Sequence, residues 1–135
     1  MAWNQGSASG DYSTAFGLIS FASGTGSTAF GWYSGASGNY STAAGYAARA
    51  GALDSFVIGT YNIGGGSPTA WVGTDPLFEI GNGGDPVHSD ALVVYKNGNT
   101  VVSGTLSVSG TSNAVLINPV GDLSMGPFTD GAQPQ

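Results

Sequence analysis

The sequence predicts an all-β fold that begins with a solenoid of short stacked strands, and a fourteen-residue repeat is the main observation behind it. Glycine, serine and alanine recur at fixed positions over about sixty residues. The glycine series are Gly10, Gly24 and Gly38, and Gly17, Gly31, Gly45 and Gly59. The other series are Ser13, Ser27, Ser41 and Ser55; Ala15, Ala29, Ala43 and Val57; and Ala8, Ala22, Ala36 and Ala50. Several series in one register indicate a true internal repeat.

Each repeat has the composition of two short strands and two corners. The segment Ser13-Thr14-Ala15-Phe16-Gly17 alternates small and larger side chains with a period of two, which is typical of a strand. Each glycine is expected to mark a corner, where it allows the chain to take positive φ. Such coils would stack about 4.7 Å apart, the spacing of hydrogen-bonded strands. With 24 glycines among 135 residues, a helix is disfavoured.

The side chains indicate self-association. The alanine series suit a thin interior, in which two strands of one coil lie face to face. A neighbouring series points to the opposite side of the same strand and consists of Phe16, Phe30, Ala44 and Ile58. A continuous exposed apolar stripe is a contact surface, and a closed symmetric oligomer would bury it along its axis. These four residues are therefore the candidate core between subunits.

The repeat Ser-Thr-Ala-Phe-Gly-x-x-Ser-x-Ala-x-Gly resembles the YadA-like head of trimeric autotransporter adhesins. Residues 10–24, 24–38 and 38–52 carry it well, and it fades over residues 52–62. The resemblance implies a left-handed parallel β-roll, a homotrimer with Phe16, Phe30, Ala44 and Ile58 at its core, and an extracellular adhesive or spacer role. Similar rolls occur in phage-type tail fibres, so a virion-like fibre is an alternative location.

A second, small β-rich module is expected after the roll. The fourteen-residue register is lost at Gly64-Gly65-Gly66-Ser67-Pro68, which predicts a roll over residues 1–62 and a fibre module over 63–135. Asn97-Gly98 between two β-branched runs predicts a hairpin around 91–102. Further strands are expected at 77–80, 104–109, 114–118 and 122–126. This half is similar to segments that follow such rolls in bacterial surface proteins and tail-fibre-like proteins.

Composition excludes several classes of function. The net charge is −6, and Arg49 and Lys96 are the two basic residues, which argues against nucleic acid and against anionic lipid as partners. No apolar run reaches the roughly 20 residues that span a bilayer, so direct membrane insertion is not expected. Cysteine is absent, which excludes disulfides and thiolate sites. The first residues lack a secretion leader, so we expect an excised segment or leaderless export.

The ionisable residues do not indicate an enzyme. Glycoside hydrolysis needs two carboxylates about 5–9.5 Å apart in a cleft, and none of the eight acidic residues forms an evident local pair. Gly81-Asn82-Gly83-Gly84-Asp85 occurs once and is interpreted as a turn rather than a calcium repeat. The single histidine, His88, is expected on a surface or turn. We therefore predict neither catalysis nor a cofactor or metal, with a hydrolase kept as the remote alternative.

Aromatic side chains near the corners are the candidate surface contacts. Such rings stack on sugars or on partner side chains, and Tyr and Trp suit half-wet positions. These residues are Tyr12, Trp32, Tyr33, Tyr40 and Tyr46.

The function that follows is a non-enzymatic trimeric fibre segment for adhesion or presentation at a cell surface. Its possible partners are a host-surface protein or a glycan. The alternatives are a receptor-binding tail fibre of a phage or contractile injection system, and an ice- or glycan-binding module. The ice alternative depends on the threonine series Thr14, Thr28 and Thr42, which Phe56 interrupts in the fourth coil.

Overall fold

A computed structural model describes residues 2–3 and 5–107 of the chain, and this part contains twelve strands and no helix. Almost all of these residues belong to one compact unit that ends at Thr105. The odd-numbered strands of the roll are β1 (Ala2–Trp3), β3 (Thr14–Phe16), β5 (Thr28–Trp32), β7 (Thr42–Tyr46) and β9 (Phe56–Thr60). The even-numbered ones are β2 (Ser7–Ala8), β4 (Phe21–Ala22), β6 (Gly35–Ala36) and β8 (Arg49–Ala50). The remaining strands are β10 (Pro76–Asn82), β11 (Asp90–Tyr95) and β12 (Thr100–Val102).

The chain winds as a solenoid of four two-stranded coils. Sheet A has the order β1-β3-β5-β7-β9-β10-β11-β12, and sheet B has the order β2-β4-β6-β8. Pairing within the roll is parallel, and from β3 to β9 the partners are fourteen residues apart, as in Ala15 with Ala29 and Ala29 with Ala43. The repeat in the sequence is therefore one turn of the solenoid, which confirms the predicted all-β solenoid.

The interior between the two sheets is thin and made of small side chains. It consists of Ala15, Ala22, Ala29, Ala36, Ala43, Ala48, Ala50 and Val57, all of them buried. Serine hydroxyls at the corners satisfy the main chain, as where Ser55 Oγ donates to the carbonyl of Ala52 at 2.8 Å. Alanine and serine thus recur because nothing larger fits where two strands of one coil face each other.

The two glycine series are required for different reasons, and one of them uses the positive φ that glycine allows. Gly17, Gly31, Gly45 and Gly59 do have positive φ. Gly24 and Gly38 do not, but a β-carbon at Gly24 would collide with the carbonyl of Gly38 in the next coil. Several corners with positive φ instead carry side chains, among them Tyr33 and Tyr40.

Beyond the fourteen-residue register, sheet A continues without a break. Strand β10 pairs parallel with β9, but the paired residues are 22 positions apart instead of fourteen, as in Ile80 opposite Ile58. β11 is antiparallel to β10, and β12 is antiparallel to β11 around the turn at Asn97-Gly98. The division into modules at residue 62 stays a prediction about sequence register, since the sheet itself crosses that point.

The later strands expected from the sequence have different outcomes. The strand at 77–80 lies within β10. Residues 104–107 form no strand, because β12 ends at Val102 and the chain bends at Ser103-Gly104. The expected strands at 114–118 and 122–126, and residues 108–109 of the third, lie outside the described residues.

Replacing Gly31 by alanine is expected to destabilise the roll by about 2 kcal/mol or more. Its φ is +120°, and an added β-carbon would strike the carbonyl oxygen of Gly45. Thermal unfolding followed by circular dichroism measures the loss. The matched control is Gly35→Ala, because a β-carbon there meets nothing within 4 Å. Equal melting temperatures for the two variants would contradict the close approach of the coils.

Candidate functional surfaces

The outer face of sheet A carries an apolar row that crosses seven strands, from β3 to β12. Its members are opposite one another in the strand register. In order they are Phe16, Phe30, Ala44, Ile58, Ile80, Leu92 and Val102. Phe16 is 39% exposed and Phe30 is 44% exposed. The four residues predicted from the repeat thus lie in one line, and the second half of the chain extends that line.

A second row on the same face changes character along the solenoid. It begins with Thr14, Thr28 and Thr42, each half-buried, and continues with Phe56 and Phe78. The rings of Phe56 and Phe78 stack with centroids 6.0 Å apart. The threonine ladder is therefore three residues long and borders the apolar row. Ice binding stays an untested alternative.

The aromatic residues predicted as surface contacts lie at two different corners. Tyr12 and Tyr40 are strongly exposed at the corner that leads into sheet A. Trp32, Tyr33 and Tyr46 lie at the opposite corner, where sheet A leads into sheet B. The sequence already separates these groups, because Trp32, Tyr33 and Tyr46 follow the corner glycines whereas Tyr12 and Tyr40 precede the serine series.

The corner after sheet A holds a continuous chain of aromatic contacts. The ring of Trp32 lies 5.1 Å from that of Tyr46, and Tyr46 lies 5.2 Å from Tyr61 in an edge-to-face contact. Tyr61 in turn contacts the imidazole of His88 at 5.5 Å. A hydrogen bond to Tyr46 is the main cause that raises the pKa of the Tyr61 phenol to about 12. These contacts hold the rings in fixed positions on the surface.

The two sheets end differently at the last coil, and Asn62 closes sheet B. Its side-chain Oδ1 accepts a hydrogen bond from the backbone N–H of Arg49 at 2.7 Å, and its Nδ2 donates to the carbonyl of Arg49 at 2.9 Å. These are the groups that a further parallel strand would engage. The amide therefore replaces one peptide unit of the missing strand and protects the sheet edge.

Asn62 is joined to a buried carboxyl group that ends the interior series. Glu79 is opposite Val57 in the register and is 2% exposed. Its Oε2 accepts from Asn62 Nδ2 at 2.9 Å, and its Oε1 accepts from the N–H of Gly64 at 3.2 Å. Burial first, and the nearby Asp90 carboxyl second, raise the pKa of Glu79 to about 7. Burial likewise raises the pKa of Asp90, whose Oδ1 accepts from the N–H of Ile63.

The remaining ionisable residues do not gather into a catalytic or metal centre in the part of the chain that the structure describes. Three or more metal-binding side chains do not come together among those residues. Glu79 and Asp90 do form a carboxyl pair, but both side chains are buried, at 2% and 6% exposure. His88 is half-buried, and its Nδ1 lies 2.8 Å from the carbonyl oxygen of Asn62. No helix among the described residues is long and apolar enough to cross a membrane.

The fold places the chain in the class of parallel β-solenoids, in which equivalent positions of successive coils carry similar residues. Within this class, the family model of the YadA head domain repeat matches residues 8–34 and 36–62. Residues 8–62 therefore form a YadA-like head, and such heads are structural domains of the adhesin type. No curated protein and no solved structure matched the chain.

Sequence reasoning missed the cap residues Asn62, Glu79 and Asp90. Each looked like an ordinary polar residue because its role depends on hydrogen-bond partners 13 to 27 positions away in the chain. One signal was available: Glu79 stands in the apolar run Leu77-Phe78-Glu79-Ile80, where a charged side chain inside a strand indicates a buried polar contact.

Replacing Asn62 by leucine is expected to lower the free energy of unfolding by about 2–4 kcal/mol. The change keeps the branching at Cγ and the number of heavy atoms but leaves the N–H and C=O of Arg49 and a carboxyl oxygen of Glu79 without their partner. Denaturant unfolding measures the loss. Asn39→Leu is the matched control and should cost less, since Asn39 Oδ1 accepts one hydrogen bond, from the N–H of Thr25. A smaller loss for Asn62 than for Asn39 would contradict the cap.

The stability of the fold is expected to fall as pH rises from about 4.5 to about 7. The folded pKa of Glu79 lies above its unfolded value, so the folded state binds more protons across that interval, and the raised pKa of Asp90 acts in the same direction. Melting temperatures measured from pH 4.5 to 8 test this. Glu79→Gln should flatten the dependence, and Asp54→Asn, at an exposed site, should leave it unchanged. A dependence as steep in Glu79→Gln as in the wild type would contradict the assignment.

Proposed function

We propose that this chain is a non-enzymatic segment of a trimeric fibre that mediates adhesion at a cell surface. The observation that carries the proposal is the apolar row on sheet A. The match to YadA head repeats supports the trimer, because proteins with such heads are trimeric adhesins. The main proposed partners of the chain are therefore two further copies of itself, in a homotrimer.

The direction of the row suits a rotation axis. The row follows the direction in which the coils stack, so it is parallel to the solenoid axis. Its six steps from Phe16 to Val102 span about 29 Å at the usual strand spacing. Around a parallel threefold axis, each residue meets its own copies at the same height, and the whole row is buried by one symmetric contact. Phe16, Phe30, Ala44 and Ile58 would form the lower part of that core.

Adhesion would arise from repetition of one surface rather than from a catalytic pocket. Three copies on a rigid rod present three identical outward faces, so a weak contact gains strength when several faces bind together. Sheet B lies on the side of each coil opposite the apolar row and would remain available. We place this segment outside the cell, with a host-surface protein or glycan as its target.

Light scattering during size exclusion tests the trimer. The 135-residue chain should have about three times its mass of 13.4 kDa. Replacing Phe16 and Phe30 together by aspartate should give the monomer mass, because six carboxylates would be forced together along the axis. A monomeric wild-type chain would overturn the proposal.

The matched control is Phe21→Asp, which changes an exposed phenylalanine on sheet B. It should remain trimeric, with the circular dichroism spectrum of the wild type. If it dissociates as the double variant does, the contact does not depend on the row on sheet A. The single variant Phe30→Asp should lower the melting temperature of the trimer even where the mass is retained.

A further inference from the structure

We propose that the corner between sheets A and B binds an acidic oligosaccharide, with the carboxylate of one sugar at Arg49 and sugar rings against Tyr33 and Tyr61. The proposal deepens the proposed function, on which it rests for the adhesive role, by naming the class of ligand. Two observations support it. At Gly35 and at Ala47 a series of large side chains in successive coils is interrupted by a small residue, and the guanidinium of Arg49 lies beside both positions.

The first gap lies on the outer face of sheet B. Phe21, Gly35 and Arg49 are opposite one another on three successive strands. The large side chains of the first and third are exposed, whereas the middle position has none. A β-carbon built at Gly35 meets nothing within 4 Å, so the gap is open space rather than a tight backbone contact.

The second gap lies at the corner beside the first. Tyr33, Ala47 and Tyr61 occupy the same place in three successive coils, all with positive φ. The two tyrosines are two coils apart, about 9–10 Å at the usual strand spacing. A single sugar ring in contact with both faces needs about 7–8 Å. Ala47 has a small, buried side chain at this place, and Tyr46 lines the same space.

The structure contains a hollow at each gap. The one at Gly35 has a volume of about 270 Å³ and is also lined by Ser23 and Ser37. The one at Ala47 has a volume of about 350 Å³ and includes Asp85 in its lining. Tyr33 and Arg49 line both hollows, so the two are adjacent parts of one groove. A ligand of two or more rings fits this arrangement better than a single compact molecule.

The chemistry of the groove is that of saccharide recognition. Aromatic faces offer flat apolar surfaces for the C–H faces of sugar rings, and the phenol oxygens add hydrogen bonds. The hydroxyls of Ser23 and Ser37 and the carboxylate of Asp85 suit sugar hydroxyls, which both donate and accept. Because the edge-to-face contact with Tyr46 holds the Tyr61 ring in place, little side-chain entropy is lost on binding.

The charge at Arg49 indicates an acidic sugar. The guanidinium is exposed and lines both hollows, and the Asp85 carboxylate shares only the hollow at Ala47 with it. Lys96, the other basic residue of the chain, lies over the ring of Trp71, 5.0 Å from its centroid, and is not part of the groove. Guanidinium binds carboxylates through paired, charge-assisted hydrogen bonds. In a chain of net charge −6, this cation beside the acid-free hollow at Gly35 is where a uronic or sialic acid carboxylate would bind.

Ligand-detected NMR and calorimetry test the proposal on the 135-residue chain, with a hyaluronan tetrasaccharide and 3′-sialyllactose as acidic probes and lactose as the neutral one. We expect binding of at least one acidic probe, weakened by added salt, and at least tenfold weaker binding of lactose. Arg49→Gln should weaken the acidic probe about tenfold or more. Binding of neither acidic probe, or equal binding by Arg49→Gln, would overturn the proposal.

Filling a gap gives a second, independent test. Gly35→Phe should abolish binding without loss of fold, because its side chain enters open space. Gly104→Phe is the matched control, since Gly104 also has open space around it and lies outside the groove. Unchanged binding by Gly35→Phe, with a wild-type melting temperature, would overturn the site.

The mass of each variant separates this inference from the proposed trimer. A trimer that binds neither acidic probe overturns the groove and leaves the fibre function in place. A monomer that binds an acidic probe overturns the trimer and supports the groove.

Discussion

The structure depends on how closely successive coils approach each other. At the two glycine series, the backbone of one coil lies against the carbonyl groups of the next, with no space for a β-carbon. The interior is equally thin and holds little more than alanine and serine. Large side chains such as Phe30 and Trp32 must therefore point outward. In this fold, the constraint that gives stability also places the apolar and aromatic groups on the surface.

The same constraint explains how the solenoid ends. A stack of strands exposes unpaired peptide groups at its last coil, and the two sheets deal with them differently. Sheet A continues into β10, whereas sheet B ends at an asparagine amide that imitates a peptide. In the last coil, Glu79 occupies the interior position that the earlier coils fill with alanine or valine. Its carboxyl oxygens accept hydrogen bonds from the Asn62 amide and from the N–H of Gly64. The buried carboxyl thus belongs to the architecture and makes the end of the roll sensitive to protons.

The two sheets are suited to different partners. Sheet A presents an apolar row that the proposed trimer would bury between three copies of the chain. The corner and sheet B present rings, hydroxyls and the guanidinium of Arg49, spaced by the coils and interrupted at Gly35 and Ala47. This separation would let assembly and recognition occur on one solenoid without competition, because the surfaces lie on different sides of each coil.

The sequence by itself determined the coil, its period and the row Phe16, Phe30, Ala44 and Ile58, because in a parallel solenoid the fourteen-residue spacing is the strand register. Tertiary structure decided what is not periodic. The extension of the row through Ile80 depends on the pairing of Ile80 with Ile58, 22 residues earlier, which the fourteen-residue repeat does not predict. The cap at Asn62 and the gaps beside Tyr33 depend on which side chains meet after the chain has wound around the axis. The spacing of the repeat predicts contacts between residues at the same position of successive coils. Contacts between residues at different positions depend on how the chain folds and are not visible in the spacing.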